Sequence, residues 1–229
     1  MNIFNLFKTA SPAANSLTLG SVILLVIKIF IFNRMPEIFP GGYEFGVLSD
    51  AILTSVVASY IFYLFVIHLK DQKDKETVRP YIEKHAKRVV GDCLGLLTEI
   101  SKKSEIQLSL DSTKDEIEEA FGVIDPHSDS PVLISDLRRY ANWPEFISYR
   151  NKRAKSSCRK LLDHLPYLDS KLTSLVADID DCSLFIQVDM ILNTSFNNKN
   201  MTFFTSTFHK YVELSSNLNK YIESKEFSR

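Results

Sequence analysis

Apolar residues are concentrated in roughly the first 70 positions of this chain, and charged residues become frequent abruptly at Lys70. Two apolar runs stand out, "LTLGSVILLVIKIFIF" from Leu17 and "YEFGVLSDAILTSVVASYIFYLFVIHL" from Tyr43. A bilayer core is spanned by about 20 predominantly apolar residues in a helix. The pattern therefore predicts transmembrane helices over 15–34 and 43–69, joined by a short turn over 35–42.

A cleaved signal peptide is the competing interpretation of the first run. The residues that follow it, "NRMPEIFPGG", contain no small-residue cleavage site, and a second apolar run comes next. Two membrane spans are therefore the better prediction.

The distribution of lysine and arginine predicts the orientation of these spans. The connection counted from Asn33 to Gly42 carries Arg34 as its one lysine or arginine. The flank after the second span is basic, with Lys70, Lys73, Lys75, Arg79, Lys84, Lys87 and Arg88. Cytoplasmic flanks carry the excess of lysine and arginine. We therefore expect residues 70–229 in the cytoplasm, together with the N-terminal segment 1–14 and its Lys8, and the turn outside.

Well inside each apolar run lies one charged side chain, Lys28 in the first and Asp50 in the second, at equal sequence distance from Phe39 in the turn. A lone charge inside a span costs about 2.5–3.5 kcal/mol on insertion scales. An ion pair within one hairpin, an ion pair between hairpins, or a pore lined also by Thr54 and Ser55 explains their presence. The alternative is that Lys28 snorkels outward while Asp50 is protonated or near the headgroups.

The second span also carries small residues at a spacing of four, Ala51, Ser55 and Ser59, with Thr54 and Ala58 beside them. Such rows allow helices to approach closely. The stripe predicts helix packing, either against the first span or against another subunit.

Beyond Lys70, apolar residues recur with a helical period and predict a bundle of four main helices. The first begins near Pro80 and carries Ile82, Val89, Leu96 and Ile100; the others cover Pro144 to about Leu165, Asp169 or Ser170 to about Leu192, and Phe203 to about Glu223. A short helix begins near Ser112, "SEIQLSLD" is a short strand or extended linker, and "GVIDPHSDSP" is a loop. The predicted fold class is all-α, a two-helix transmembrane hairpin followed by a cytoplasmic α-helical bundle.

No motif of a nucleotide-binding, hydrolytic or kinase active site is present, and the five histidines show no metal-ligand spacing. Cys93, Cys158 and Cys182 are far apart in sequence and are expected to be buried thiols in a reducing compartment. We therefore expect a protein that is not an enzyme and has no metal or cofactor.

One basic cluster, "YRNKRAKSSCRK", contains no acidic residue; its cations are Arg150, Lys152, Arg153, Lys155, Arg159 and Lys160. On a helix these cations predict a surface for RNA, DNA or an acidic protein, and Trp143, Phe146 and Tyr149 could add stacking. The alternative is a solvated helix face.

A patch of the opposite sign is formed by Asp115, Glu116, Glu118 and Glu119. The acidic patch and the basic cluster could meet within the bundle or between subunits, and the sequence leaves both possibilities open.

The block "GGYEFGVLSDAILTSVVASYIFYLFVIHLKDQKDK" resembles the two-transmembrane effectors that accompany retron reverse transcriptases and occur in other bacterial anti-phage systems. The resemblance rests on Tyr43, Glu44, Gly46, residues 59–63 and residues 68–70, about a fifth of the chain. It implies an inner-membrane effector that is restrained by a cytoplasmic partner, a reverse transcriptase with its RNA–DNA product, and that damages the membrane when released.

The leading expectation is therefore a two-pass protein of the bacterial inner membrane whose hairpins assemble, as a homo-oligomer, once a cytoplasmic partner lets go. The alternative is a harmless membrane anchor or scaffold for a cytoplasmic protein or nucleoprotein complex. In that case Lys28 and Asp50 form a structural pair.

Overall fold

The structure is a computed structural model that describes residues 7, 9–34, 36, 40–134, 138–194 and 197–224. Of the described residues, 78% are helical and 5% form strands. Two compact units meet in sequence between Thr77 and Val78. Lys8 and Phe39, the predicted centre of the turn, lie outside the described residues.

The first unit contains two apolar helices, α1 (Pro12–Phe30) and α2 (Gly42–Phe62). Proline suits the first turn of α1, where its missing N–H would have no helical partner. Gly41 has φ 88°, a left-handed conformation that glycine adopts freely, immediately before α2. A short 3-10 helix (Phe32–Arg34) follows α1, and a π-helix (Tyr63–His68) follows α2.

The two apolar helices pack along one narrow face each. On α1 the less exposed positions recur every three or four residues, at Thr18, Ser21, Leu25 and Lys28. In the most apolar stretch of α1, 6% of the residues are buried. In the most apolar stretch of the continuous helical segment Gly42–Ser104, which begins with α2, 17% are buried. Both helices are therefore long and apolar enough to cross a membrane, and they lack the burial typical of a soluble core.

The next helix, α3 (Leu69–Ser104), contains Pro80 in its interior. The prediction that a helix begins near Pro80 was wrong. The residues from Leu69 to Arg79 are mostly strong helix formers without an apolar stripe, so periodicity does not reveal them. Proline removes one backbone hydrogen bond there, and the surrounding helix continues across it.

The second unit continues with α4 (Lys114–Gly122), which begins two residues after the predicted Ser112. Its N-cap, Thr113, forms a capping box in which the Thr113 side chain accepts from the Glu116 N–H and the Glu116 carboxylate accepts from the Thr113 N–H. The segment between α3 and α4, predicted as a strand or linker, forms no strand.

An antiparallel hairpin of β1 (Asp129–Ile134) and β2 (Arg139–Asn142) corrects the all-α prediction and the predicted loop, which includes Asp129 and Ser130. Arg139 anchors this hairpin through a two-pronged ion pair with Glu145, at 2.6 and 2.8 Å. Glu145 also belongs to the capping box of Asn142 that starts the next helix, α5 (Trp143–Leu162).

The predicted helix from Asp169 to Leu192 is two helices, α6 (Ser170–Asp180) and α7 (Ser183–Leu192). Cys182 adopts an extended conformation with ψ 130°, which ends one helix and starts the other. The final helix, α8 (Thr205–Glu223), lies within the predicted range. The buried core of this unit draws on every one of these helices, with Trp143, Phe146, Phe204, Phe208 and Tyr211 among its largest members.

Candidate functional site

Lys28 and Asp50 form an ion pair between α1 and α2. The Lys28 ammonium donates to Asp50 Oδ2 and also to the backbone carbonyl of Gly46, one turn earlier on α2. The Lys28 side chain is 15% exposed and that of Asp50 40% exposed. The two charges therefore neutralise each other within one hairpin.

Gly46 leaves room beside the Lys28 side chain, and a residue whose side chain extends beyond Cβ would crowd it. A Cβ at this position would lie 3.4 Å from both Cε and Nζ of Lys28. The sequence pattern does not assign Gly46 to the pair. The available signal is a glycine inside an apolar helix, which costs about 1 kcal/mol relative to alanine, placed four residues before Asp50.

The remaining candidates on α2 do not join this pair. Thr54 and Ser55 are exposed, as are Ala51, Ala58 and Ser59. The small-residue stripe thus lies away from α1 in this hairpin, and packing of the stripe against the first span is not observed. The second carboxylate oxygen of Asp50, Oδ1, has no hydrogen-bond partner among the described residues.

A second set of polar contacts lies at the other end of α2, where the sequence analysis placed none. The Tyr60 hydroxyl donates to Asn15 Oδ1, and Asn15 Nδ2 donates to the Phe7 carbonyl at 2.8 Å. Thr9 Oγ1 is hydrogen bonded to Nε2 of His68 at 2.9 Å. The Tyr60–Asn15 bond joins α2 to α1, and the Thr9–His68 bond links the N-terminal segment to the π-helix, a helix type that is frequent at functional sites.

On α5, two members of the basic cluster turn toward the interior. Arg150 Nη1 and Arg153 Nε lie 3.2 and 3.3 Å from the same oxygen of Asp92, a carboxylate that is 1% exposed. Of the six cations predicted to contact a partner, these two are thus held in part by a buried carboxylate of the same chain. Gly95 makes room for Arg150, since a Cβ there would lie 2.8 Å from Nη1.

The predicted stacking residues are also largely internal. Trp143 is 1% exposed and Phe146 is fully buried, so neither ring is available to a nucleic-acid base, and this prediction was wrong for both. Tyr149 is 46% exposed, and the Arg153 guanidinium lies 5.6 Å from its ring centroid. Trp143 and Phe146 are buried because they lie on the core face of α5.

The remaining cations of the cluster face outward. Lys152, Arg159 and Lys160 are exposed and Lys155 is half-buried, and no ion pair joins any of them to a carboxylate in the described part of the chain. The positive region extends to α3. Burial lowers the pKa of the His85 imidazole, and the neighbouring cations lower it further: Lys160, Lys84 and Arg88, with a smaller effect of His164.

The three cysteines are free and buried, as expected. Burial raises the pKa of the Cys93 and Cys158 thiols to about 12, so both stay protonated at neutral pH. Among the described residues, no group of three histidine, cysteine, aspartate or glutamate side chains is placed to hold a metal ion.

Comparison with known proteins gives no relative: no family model matches the sequence, and neither a curated protein nor a solved structure matches the chain.

Proposed function

We propose that this protein is an inner-membrane effector of a bacterial anti-phage system, of the kind that accompanies retron reverse transcriptases. In the proposal, α1 and α2 form a transmembrane hairpin with both termini in the cytoplasm. A cytoplasmic partner, a reverse transcriptase with bound RNA and DNA, keeps the effector inactive. Release of the partner lets hairpins assemble and permeabilise the membrane.

The observation that carries this proposal is the ion pair between Lys28 and Asp50 inside an otherwise apolar hairpin. Ionisable groups within membrane spans are costly and are found where they serve transport or assembly. A helix that only anchors a protein needs neither charge. Asp50 Oδ1 is buried and has no hydrogen-bond partner among the described residues, so it becomes an acceptor for a second hairpin only when the two helices rearrange.

The pair also explains how the resting state is held. Separating the two charges in hydrocarbon leaves each at a cost of about 2.5–3.5 kcal/mol on insertion scales. Exchange of partners between neighbouring hairpins avoids this cost because every charge remains paired. A few kcal/mol of differential binding by the partner is enough to shift such an equilibrium.

The exposed stripe of α2 gives the assembly a contact surface. Ala51, Ser55 and Ser59 are small enough for close helix approach, and they are not covered by α1. In the assembled state Thr54 and Ser55 would join the charged pair to form a polar interior.

A second candidate function is a harmless anchor or scaffold that localises a cytoplasmic protein or nucleoprotein. The observation that favours it is that both charges are satisfied within a single hairpin. A pair of that kind can serve as a structural lock alone.

Expression of the full chain without any partner in a bacterial host separates the two functions. The effector function predicts uptake of a membrane-impermeant dye and arrested growth, since no restraining partner is present. The anchor function predicts normal growth at the same amount of protein in the membrane fraction. Normal growth without dye uptake at high membrane levels would overturn the effector proposal.

A further inference from the structure

An exposed basic surface in the second unit has no partner within the chain. It consists of Lys84 and Arg88 on α3 and Arg159 and Lys160 on α5, all exposed. The Tyr81 ring on α3 lies 4.4 Å from the His85 ring and 4.9 Å from the ring of His164, two residues after α5. The parts of α3 and α5 that carry these cations therefore lie side by side. No ion pair or hydrogen bond joins any of the four to a carboxylate in the described part of the chain.

An exposed acidic surface on α4 is equally unpartnered. Asp115, Glu118 and Glu119 are spaced so that they share one helix face, opposite the buried Ile117 and Phe121. Glu116 is occupied by the capping box, whereas the other three carboxylates make no ion pair with a described residue.

The two surfaces do not neutralise each other within one chain. The ion pairs of the second unit in the described residues join other groups, such as Asp92 with Arg150 and Asp111 with Lys220. Like charges held close together repel, so each surface is stabilised when a surface of opposite charge approaches it. Each copy of this chain carries both surfaces, so a second copy supplies the surface of opposite charge.

We propose that the acidic surface of one copy docks onto the basic surface of the next. The contact is heterologous, because it joins two different surfaces, and such a contact generates a ring when its rotation closes and an open filament when it does not. Copies anchored in one membrane share one orientation, which suits rotation about the membrane normal. The inference deepens the proposed function, since it supplies the contact that gathers several hairpins.

Disulfide trapping tests this contact in the full chain. The double variant Glu118→Cys with Lys160→Cys places one thiol on each surface. The native cysteines are buried, and burial raises the pKa of the Cys93 and Cys158 thiols to about 12. Background crosslinking is therefore expected to be low. In membranes under mild oxidation the double variant is expected to form a ladder of dimers, trimers and higher species.

A matched control moves one thiol to another exposed lysine. Lys210 on α8 pairs with Glu213 at 2.9 Å and lies outside the basic surface. The variant Glu118→Cys with Lys210→Cys is expected to stay monomeric, as is each single variant. No ladder from the first pair, or an equal ladder from the control, would overturn the proposal.

Charge exchange gives a second, independent readout. Lys84→Glu with Lys160→Glu is expected to lower the oligomeric fraction of the full chain in nanodiscs by about tenfold, because like charges then face each other. Adding Glu118→Lys and Glu119→Lys to the same chain is expected to restore it. If the oligomeric fraction falls and the added lysines do not restore it, self-association through these two surfaces is overturned. The basic surface then binds another polyanion: sensitivity to nuclease identifies a nucleic acid, and loss in nanodiscs of uncharged lipid identifies anionic lipid.

The failure of this inference is distinguishable from that of the proposed function. Dye uptake without a ladder removes the contact and leaves the effector. A ladder without dye uptake keeps the contact and removes membrane permeabilisation.

Discussion

The Lys28 ammonium donates to the Asp50 carboxylate across α1 and α2, and the Gly46 carbonyl shares the same ammonium. Three groups thus satisfy one another on the facing sides of two helices that are otherwise apolar. The arrangement makes the pair the principal polar link between these helices at this end of the hairpin.

Removing one charge is expected to cost more than removing both. Asp50→Leu leaves a lone ammonium and Lys28→Met leaves a lone carboxylate, each at about 2.5–3.5 kcal/mol in hydrocarbon. The double variant leaves no charge and is expected to unfold at a free energy closer to that of the wild type. Unfolding of the reconstituted chain by denaturing detergent measures all four proteins, and additive single effects would contradict the pair.

Gly46→Leu is expected to push the Lys28 side chain off its two acceptors and to destabilise the hairpin as strongly as loss of one charge. The open space at Gly20, where a Cβ meets no atom within 4 Å, provides the control. Gly20→Leu is expected to be neutral or stabilising by up to about 1 kcal/mol, the gain in helix propensity. The same detergent titration compares them, and equal effects at the two glycines would argue against the close approach.

In the second unit, Arg150→Met with Arg153→Met is expected to destabilise the protein by about 3–5 kcal/mol, because it leaves the carboxylate of Asp92 buried and unpaired. Asp92→Asn is expected to cost less, since the arginines remain partly exposed. Thermal unfolding followed by circular dichroism gives the order. A larger loss in Asp92→Asn would show that the arginines are held by something else.

The folded chain is expected to lose stability in acid because of His85. Its pKa is lowered in the folded state by burial and nearby cations, so the unfolded chain takes up the proton more readily as pH falls. The stabilisation is fully present above the unfolded pKa of about 6.5 and is lost as pH falls through the lower folded pKa. His85→Gln is expected to lose less Tm between about pH 7.5 and about pH 5.5 than the wild type. An unchanged difference in Tm would contradict this role.

Local chemistry was predictable where a signal lies within a few residues of its effect. The two apolar runs identify α1 and α2, and the predicted helix start near Ser112 lies within two residues of the start of α4. Features that depend on contacts far apart in sequence were not predictable. Asp92 and Arg150 are 58 residues apart, so an arginine that looks free in the basic cluster is in fact held by a buried carboxylate.

Irregular backbone was missed for a related reason. Pro80 continues within a helix because its neighbours favour helix and the core face resumes beyond it. The break at Cys182 lies between two apolar stripes that read as one. The role of Gly46 depends on the reach of a lysine from the other helix, which periodicity does not describe.

The role of the Lys28–Asp50 pair in membrane permeabilisation is tested most directly by the rate of dye uptake in bacteria. The proteins compared, at matched amounts in the membrane, are the wild type, Asp50→Asn, Lys28→Leu and the exchanged chain Lys28→Asp with Asp50→Lys. The proposed function predicts rapid uptake by the wild type and a decrease of about tenfold in Asp50→Asn and in Lys28→Leu. Uptake is expected to recover in the exchanged chain, where the ion pair is retained. Lys87→Leu, which breaks an exposed pair with Glu83 outside the apolar hairpin, is expected to match the wild type. Equal uptake by all five proteins would contradict a role for the Lys28–Asp50 pair in membrane permeabilisation.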